Sequence, residues 1–207
     1  MFDARLQGLL QPVLRPPARL LAARGIGADR ITLAGFALGL LAVPALAAGA
    51  HGVALAFILA NRVADGLDGA VARLQGPTDR GAFLDIALDF TFYALVVLGF
   101  ALADPARNAL PAAVLLAAFM GTGSSFLAFA VLAARRGMAS AAFPRKGIYY
   151  LGGLTEGAET IAVFVAMCLW PEIFPLLALL FALACLVTTV MRWRLGWMMF
   201  GDPGSGQ

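Results

Sequence analysis

The sequence predicts an all-α integral membrane protein: six transmembrane helices preceded by an N-terminal amphipathic interfacial helix. Three observations lead there. Of 207 residues, 61% are hydrophobic and only 13% are charged, against about 45–50% and about 25% in a soluble domain. Such a chain lacks the polar surface to enclose a core in water, so lipid must be the solvent for most of it. After residue 30 the sequence divides into six apolar stretches, 31–50, 52–73, 81–103, 109–134, 148–170 and 174–196, each close to the roughly 20 residues a span requires. Finally, the basic residues alternate between the connections.

The first element, residues 1–30, sets Arg5, Arg15, Arg19 and Arg24 among leucines, with Leu6, Leu10, Leu14 and Leu21 near one helical face. Pro12, Pro16 and Pro17 are expected to interrupt it, which suits a segment lying at the interface better than one crossing it. A charged-then-apolar-then-cleavage pattern is absent, so no secretory signal is expected. Residues 31–196 form the transmembrane domain and 197–207 a flexible tail ending Gly-Asp-Pro-Gly-Ser-Gly-Gln.

Orientation follows from Lys and Arg. Basic residues crowd the N-terminal segment, the second connection (Arg73, Arg80), the fourth (Arg135, Arg136, Arg145, Lys146) and the C-terminal end (Arg192, Arg194). The first and fifth connections carry none, and the third carries Arg107 alone. Six spans with both termini and the second connection in the cytoplasm satisfy this pattern. A net charge of +3 is too small to suggest nucleic-acid binding. Cys168 and Cys185 lie in apolar runs without metal-ligand spacing and are expected to be buried thiols. His51 falls in an outer connection, remote from the acids, and no catalytic role is expected of it.

The chemistry is concentrated in residues 61–90. Asp65 and Asp68 are three apart on the second helix, and Asp85 and Asp89 four apart on the third. These spacings place each pair on one helical face. The short turn at 74–80 makes the two helices antiparallel neighbours, so four carboxylates converge at one depth. Each costs roughly 2.5–3.5 kcal/mol at mid-membrane, somewhat less near an interface. Arg62, Arg73 and Arg80 neutralise only part of that charge. Divalent metal is the economical counter-ion, and an all-oxygen ligand set suits Mg²⁺, Mn²⁺ or Ca²⁺. Mg²⁺ ordinarily takes one or two carboxylates together with substrate phosphates, which implies a diphosphate substrate. Asp79, beside Arg80 in the turn, reads as an ordinary surface acid. Gly66, Gly69 and Gly81 flank the acids, where small residues admit either a ligand or a neighbouring helix.

The stretch Asp65, Asp68, Gly69, Ala72, Arg73, Gly81, Asp85, Asp89 resembles the D-x-x-D-G-x-x-A-R … G-x-x-x-D-x-x-x-D signature of the CDP-alcohol phosphotransferases. Every fixed residue matches, and the spacer between Arg73 and Gly81 is one residue shorter than the family's, a change that falls in the turn. The whole chain is similar to an uncharacterised bacterial inner-membrane branch of that family. The resemblance implies an enzyme that transfers a phosphatidyl or related substituted phosphate group from a CDP-alcohol, such as CDP-diacylglycerol, to an alcohol, releasing CMP. It implies that Asp65, Asp68, Asp85 and Asp89 hold two divalent ions, Mg²⁺ or Mn²⁺. Asp89 would also take the proton of the acceptor hydroxyl. Gly69, Ala72, Arg73 and Gly81 would border the donor, and the protein would be a homodimer of the bacterial inner membrane with its active site facing the cytoplasm.

Glu156 and Glu159 in the fifth span lie at about the depth of Asp89 when residues are counted from Lys146 and Arg80 at 1.5 Å each. They are candidates for acceptor binding, as are Arg135 and Lys146 at the cytoplasmic mouth. Positive-inside topology alone also explains the basic pair. Gly121 and Ser125 give the fourth span a small-residue face for close packing, such as a homodimer would use, and Tyr149 and Tyr150 read as interfacial anchors. Two other readings use the same acids. An intramembrane prenyltransferase would place its acid motifs on separate, distant spans, whereas this chain has them in one hairpin. A divalent-cation transporter would continue the polar path outward, but Val53–Ala60 and Ala94–Ala103 are almost wholly apolar.

Overall fold

The computed structural model describes residues 2–138 and 155–201. Among these, regular structure is helical throughout: α1 (Phe2–Ala23), α2 (Ala28–Leu40), α3 (Ala42–Ala47), α4 (His51–Gln75), α5 (Asp79–Ala103), α6 (Pro105–Arg135), α7 (Gly157–Leu169), a single 3₁₀ turn (Pro171–Ile173) and α8 (Phe174–Phe200). Arg145, Lys146, Tyr149 and Tyr150 lie outside the described residues.

Four helical segments are long and apolar enough to cross a membrane: Ala28–Ala47, Asp79–Ala103, Pro105–Arg135 and Pro171–Phe200. The first is α2 and α3 in succession, broken at Leu41. Helix α4 has 25 residues, about 37 Å at 1.5 Å per residue, and exceeds the roughly 30 Å hydrocarbon core. Its composition sets it apart from those four, because Arg62, Asp65, Asp68 and Arg73 all sit on it. Helix α7 has 13 residues and is too short by itself.

Two expectations are corrected here. The prolines do not interrupt the N-terminal helix: Pro12, Pro16 and Pro17 all lie inside α1. Its packed face is Leu14, Ala18, Leu21 and Ala22, set against Ala70 and Val71 of α4, and Ala18 has no exposed surface. Tertiary packing thus holds a helix whose own hydrogen-bond ladder is incomplete. Leu10, Val13 and Leu20 face outward, Val13 being 69% exposed. Secondly, α4 and α5 are not closely packed neighbours. Helix α2 lies against both, and α3 against α5 and α4, so the two aspartate helices splay around the site with α2 as their common wall.

The α4–α5 turn is only Gly76, Pro77 and Thr78. Gly76 has φ of +94°, a conformation that a β-carbon would strain. Thr78 caps α5, its hydroxyl accepting from the Gly81 amide at 3.0 Å.

Gly35 and Gly39 of α2 permit the close approach to α4. A β-carbon on Gly35 would lie 2.4 Å from Ala64 Cβ, and one on Gly39 would lie 2.8 Å from Phe92 and 3.0 Å from Asn61. The Gly35 carbonyl accepts from Asn61 Nδ2 at 3.1 Å across the interface. Gly35→Val is expected to lower stability by about 1–3 kcal/mol through overpacking, measured as thermal unfolding in detergent. Gly52→Ala, where a β-carbon meets nothing within 4 Å, should remain within about 0.5 kcal/mol of the native chain. Equal midpoints for the two variants would mean that α2 does not depend on this contact.

The main core joins α3 to α8 through Phe92, Phe100, Phe164 and Phe174, with Phe100 and Phe174 stacked at 4.8 Å. Cys168 and Cys185 are free and buried, as expected. His51 stacks on Phe100 at 6.0 Å, fourteen residues or about 21 Å from Asp65 along α4. The Gly121–Ser125 face, a candidate dimer contact in the sequence, is used within the chain: a β-carbon on Gly121 would lie 3.1 Å from Thr189 Oγ1 of α8.

Candidate metal and phosphate-transfer site

Helices α2, α4 and α5 enclose a cleft lined by Thr32, Gly35, Phe36, Asn61, Arg62, Asp65, Asp68, Asp85, Leu88 and Asp89. All four motif aspartates reach it, as their three- and four-residue spacings require. They are not equivalent. Asp65, Asp68 and Asp85 each present an oxygen within 4.8 Å of the others. Asp68 is the most buried, 5% exposed, and its Oδ2 accepts from the Thr32 hydroxyl at 2.5 Å. Thr32 also donates to the Ala28 carbonyl at 3.1 Å, an i−4 bond that keeps the hydroxyl over the α2 backbone.

Asp89 is held differently. Its Oδ1 accepts from Arg62 Nη2 at 2.7 Å, and its Oδ2 accepts from the Tyr93 hydroxyl at 3.3 Å. Arg62 Nη1 lies 3.8 Å from Asp65 Oδ2 and donates to Tyr93 at 3.2 Å. Arg62 Nε and Nη2 donate to Asn61 Oδ1 at 2.9 and 2.5 Å. The guanidinium also sits 5.3 Å from the Phe92 ring centroid and 5.5 Å from that of Tyr93, a desolvated aromatic seat for a permanent cation.

The triad fits a divalent ion. An octahedral ion with bonds of about 2.0–2.1 Å sets its ligand oxygens about 2.9–4.2 Å apart, so small carboxylate rotations close the observed set. The ligands are hard oxygens, and among the described residues no Cys or His joins them.

The other four motif residues stand toward the end of α4 and in the first turn of α5. Gly69 is half-buried and Arg73 exposed. Arg73 Nη1 lies 3.4 Å from the place a Gly69 β-carbon would take, so the side chain folds back over the glycine. Ala72 is half-buried one turn below Asp68, and Gly81 lies beside Thr78 and Asp29. Arg80 pairs with Asp29 at 2.6 Å and is otherwise in solvent, 79% exposed, joining the first turns of α2 and α5.

The fifth-span acids are placed differently from the expectation. Helix α7 begins at Gly157, with Glu156 as its N-cap and Glu159 at N3 in a reciprocal capping box. The Glu156 amide donates to Glu159 Oε2 at 3.0 Å. Glu156 is thus at the start of α7 and not within it, and Lys146, from which the depth was counted, lies outside the described residues. The Glu-x-x-Glu spacing is itself the sequence sign of such a box, here with glutamate in the Ser/Thr position. Of the basic cluster, Arg136 donates to the carbonyls of Met199 and Phe200 at 2.9 and 3.0 Å, satisfying the C-terminus of α8. Arg135 is exposed.

Two buried side-chain contacts, one of them at the cleft, are not evident from the sequence. Thr32 contacts Asp68 across 36 positions, and only its place on the α2 face that also carries Gly35 and Gly39 hints at it. Arg192, which the sequence offers as a topology marker, is 8% exposed and donates to the Thr122 carbonyl at 3.0 Å, 5.6 Å from the Phe126 ring centroid. It joins α8 to α6 and is not among the residues that line the cleft.

A family model described as CDP-alcohol phosphatidyltransferase matches residues 26–193. The chain is 52% identical over 192 residues, 93% of each chain, to a protein of Escherichia coli named inner membrane protein YnjF. Its fold is similar to that of Mycobacterium tuberculosis phosphatidylinositol phosphate synthase (PgsA1) with CDP-DAG bound, with a TM-score of 0.75, 22% identity, and coverage of 95% of this chain and 98% of that one. A second structure of that synthase, in complex with manganese and citrate, gives 0.74 at 22% identity, covering 94% and 92%. With the four motif aspartates gathered at one cleft, these likenesses place the chain: it belongs to the CDP-alcohol phosphatidyltransferase family.

Proposed function

We propose that the protein transfers a phosphatidyl or related substituted phosphate group from CDP-diacylglycerol to the hydroxyl of an alcohol, releasing CMP. The observation that carries this reading is the convergence of Asp65, Asp68 and Asp85 to within 4.8 Å, with Asp89 on the same cleft. Divalent ions at this site, two Mg²⁺ or Mn²⁺ in this reading, supply neutralisation of the charge developing on the diphosphate. The chain's own residues do the rest. Asp89 takes the proton of the acceptor hydroxyl, whose oxygen attacks the β-phosphorus. The bond from that phosphorus to the bridging oxygen breaks, and CMP leaves. Gly69, Ala72, Arg73 and Gly81 border the donor's nucleotide, the exposed guanidinium of Arg73 supplying positive charge at the mouth. Asp65 and Asp68 are fixed on α4 and Asp85 on α5, so the ligand geometry is built before substrate arrives.

The same reading places the chain in the bacterial inner membrane with six spans, α4 and the segment ending in α7 completing the set. Both termini and the aspartate cleft face the cytoplasm, and α1 lies at the interface with Leu10, Val13 and Leu20 in lipid. A homodimer would use a face other than Gly121–Ser125. Glu156, Glu159, Arg135 and Lys146 are the groups proposed to select the acceptor. For the glutamates, Glu159→Gln is informative because glutamine also serves at N3 of a capping box. A raised acceptor KM with unchanged thermal stability is expected, and an unchanged KM would confine Glu159 to capping.

The test is CMP release by purified protein given CDP-diacylglycerol, Mg²⁺ or Mn²⁺, and a panel of glycerol 3-phosphate, serine, inositol phosphate, choline and glycerol. Metal-dependent CMP release with one acceptor establishes the reaction and its product. Failure to bind CDP-diacylglycerol in the presence of metal would overturn the donor.

A further inference from the structure

The seam between α2 and α4 has two sides. One side is the aspartate cleft. On the other, α1, α2 and α4 leave a groove of about 340 Å³. It is hollow because small residues meet there, Ala34 and Gly35 of α2 with Ala60 and Ala64 of α4, between the larger side chains of Leu21 and Leu38. Gly35 is the one residue that lines both groove and cleft. The close contact of Gly35 with Ala64 and Asn61 stands between them. Every side chain lining the groove is apolar except that of Arg30. Arg30 is exposed in the first turn of α2. Its neighbour Asp29 is turned to Arg80 at 2.6 Å, and among the described residues no carboxylate pairs with Arg30. Leu38 lies eight residues further along α2, or about 12 Å. The groove is therefore an apolar trough with one uncompensated guanidinium at its end.

We propose that this groove binds an anionic phospholipid of the surrounding membrane, with an acyl chain along α2 and α4 and the phosphate at Arg30. The site rests on the membrane placement given above and not on the reaction. Guanidinium is planar, permanently charged and forked, which suits a phosphate at the interface. Basic pockets between membrane helices on the cytoplasmic side favour anionic head groups. The bound lipid is not the donor, whose diphosphate goes to the aspartates on the other side of the seam. Its chain lies against Gly35 and against Ala64, the residue before Asp65, and so braces the two helices that carry Thr32, Asp65 and Asp68.

The probes are phosphatidylglycerol and phosphatidylcholine with the same acyl chains, added to the full-length protein in detergent. Retained lipid is counted by native mass spectrometry, and thermal unfolding is followed in parallel. The native chain should retain phosphatidylglycerol about fivefold or more over phosphatidylcholine, with a higher unfolding midpoint, and Arg30→Gln should abolish the preference. Ala34→Leu fills the trough and should lower retention of both lipids by about fivefold or more. Neither residue lines the cleft, so kcat and donor KM should stay within about twofold in both variants. Equal retention of the two lipids by the native chain, an undiminished preference in Arg30→Gln, or unchanged retention in Ala34→Leu would each overturn the proposal. A donor KM raised severalfold by Ala34→Leu would give the groove to the donor's own chain. Conversion of a dimer to a monomer by that variant would give it to a second copy. Either result also overturns the proposal. Should Ala34→Leu not fold, Leu38→Trp, at a position 44% exposed, carries the test. Its fluorescence should be quenched more by brominated phosphatidylglycerol than by brominated phosphatidylcholine, and equal quenching would overturn the site. If the native protein releases no CMP from any donor, it is the phosphotransfer reading that has failed, and lipid retention still decides the groove.

Discussion

In the presence of a chelator, the Asp68→Asn protein is expected to unfold at a higher temperature than the native chain; with metal and substrates present, it is expected to be inert. Both follow from the crowding of Asp65, Asp68 and Asp85 within 4.8 Å. Like charges at such distances repel by a few kcal/mol even at an effective dielectric of about 20, and Asp68 is the most buried of the three. Asparagine has the same shape and still accepts the Thr32 hydroxyl through its carbonyl oxygen, so the α2–α4 contact survives while the repulsion falls. The same change removes a metal ligand. Loss of several kcal/mol of transition-state stabilisation, at about 1.4 kcal/mol per factor of ten, puts CMP release down by about 10³-fold or more. Mn²⁺ raises the native unfolding temperature by linkage, worth about 2.7 kcal/mol at a hundred times Kd, and should leave the variant nearly unmoved. Melting curves in detergent, with chelator and with Mn²⁺, separate the effects. A lower midpoint in chelator, or a preserved Mn²⁺ response, would show that Asp68 is not the charge-crowded ligand described here.

The parts of this site legible in the sequence are those set by short-range spacing. Asp65 with Asp68, and Asp85 with Asp89, share faces because helices repeat every 3.6 residues. Composition and the placement of Lys and Arg read the membrane-embedded character of α5, α6 and α8 without difficulty. What escaped depends on side chains meeting across helices. Nothing within α5 says that Asp89 is tied to a guanidinium 27 positions earlier, and nothing in α4 says that a threonine of α2 reaches Asp68. The splay of α4 from α5 is equally hidden: a tight Gly76–Thr78 turn suggests packed neighbours, but α2, drawn close by Gly35 and Gly39, lies against both helices. Local rules mislead at the N-terminus and in the fifth span. Three prolines argue against a helix in isolation, and the burial of Leu14, Ala18 and Leu21 against α4 outweighs them. Glu156 and Glu159 look like acids within a span and are a helix start: Glu156, itself buried, is the N-cap of α7 and Glu159 its N3 residue.

Asp89→Asn should separate catalysis from metal binding, the converse of Asp68→Asn. The amide is isosteric with the carboxylate. Its oxygen still accepts from Arg62 Nη2, and its NH₂ group turns toward the Tyr93 hydroxyl oxygen, so the side chain keeps its place between the two partners that hold it now. It has no basic oxygen to take a proton. Removal of a positioned general base typically costs about 10²–10⁴ in rate, and kcat for CMP release is expected to fall in that range with the donor KM within about twofold. Mn²⁺ affinity should fall less than in Asp68→Asn, since Asp89 is not one of the three carboxylates that converge within 4.8 Å. A kcat within about threefold of native would place the base elsewhere, and loss of Mn²⁺ binding together with activity would make Asp89 a ligand first.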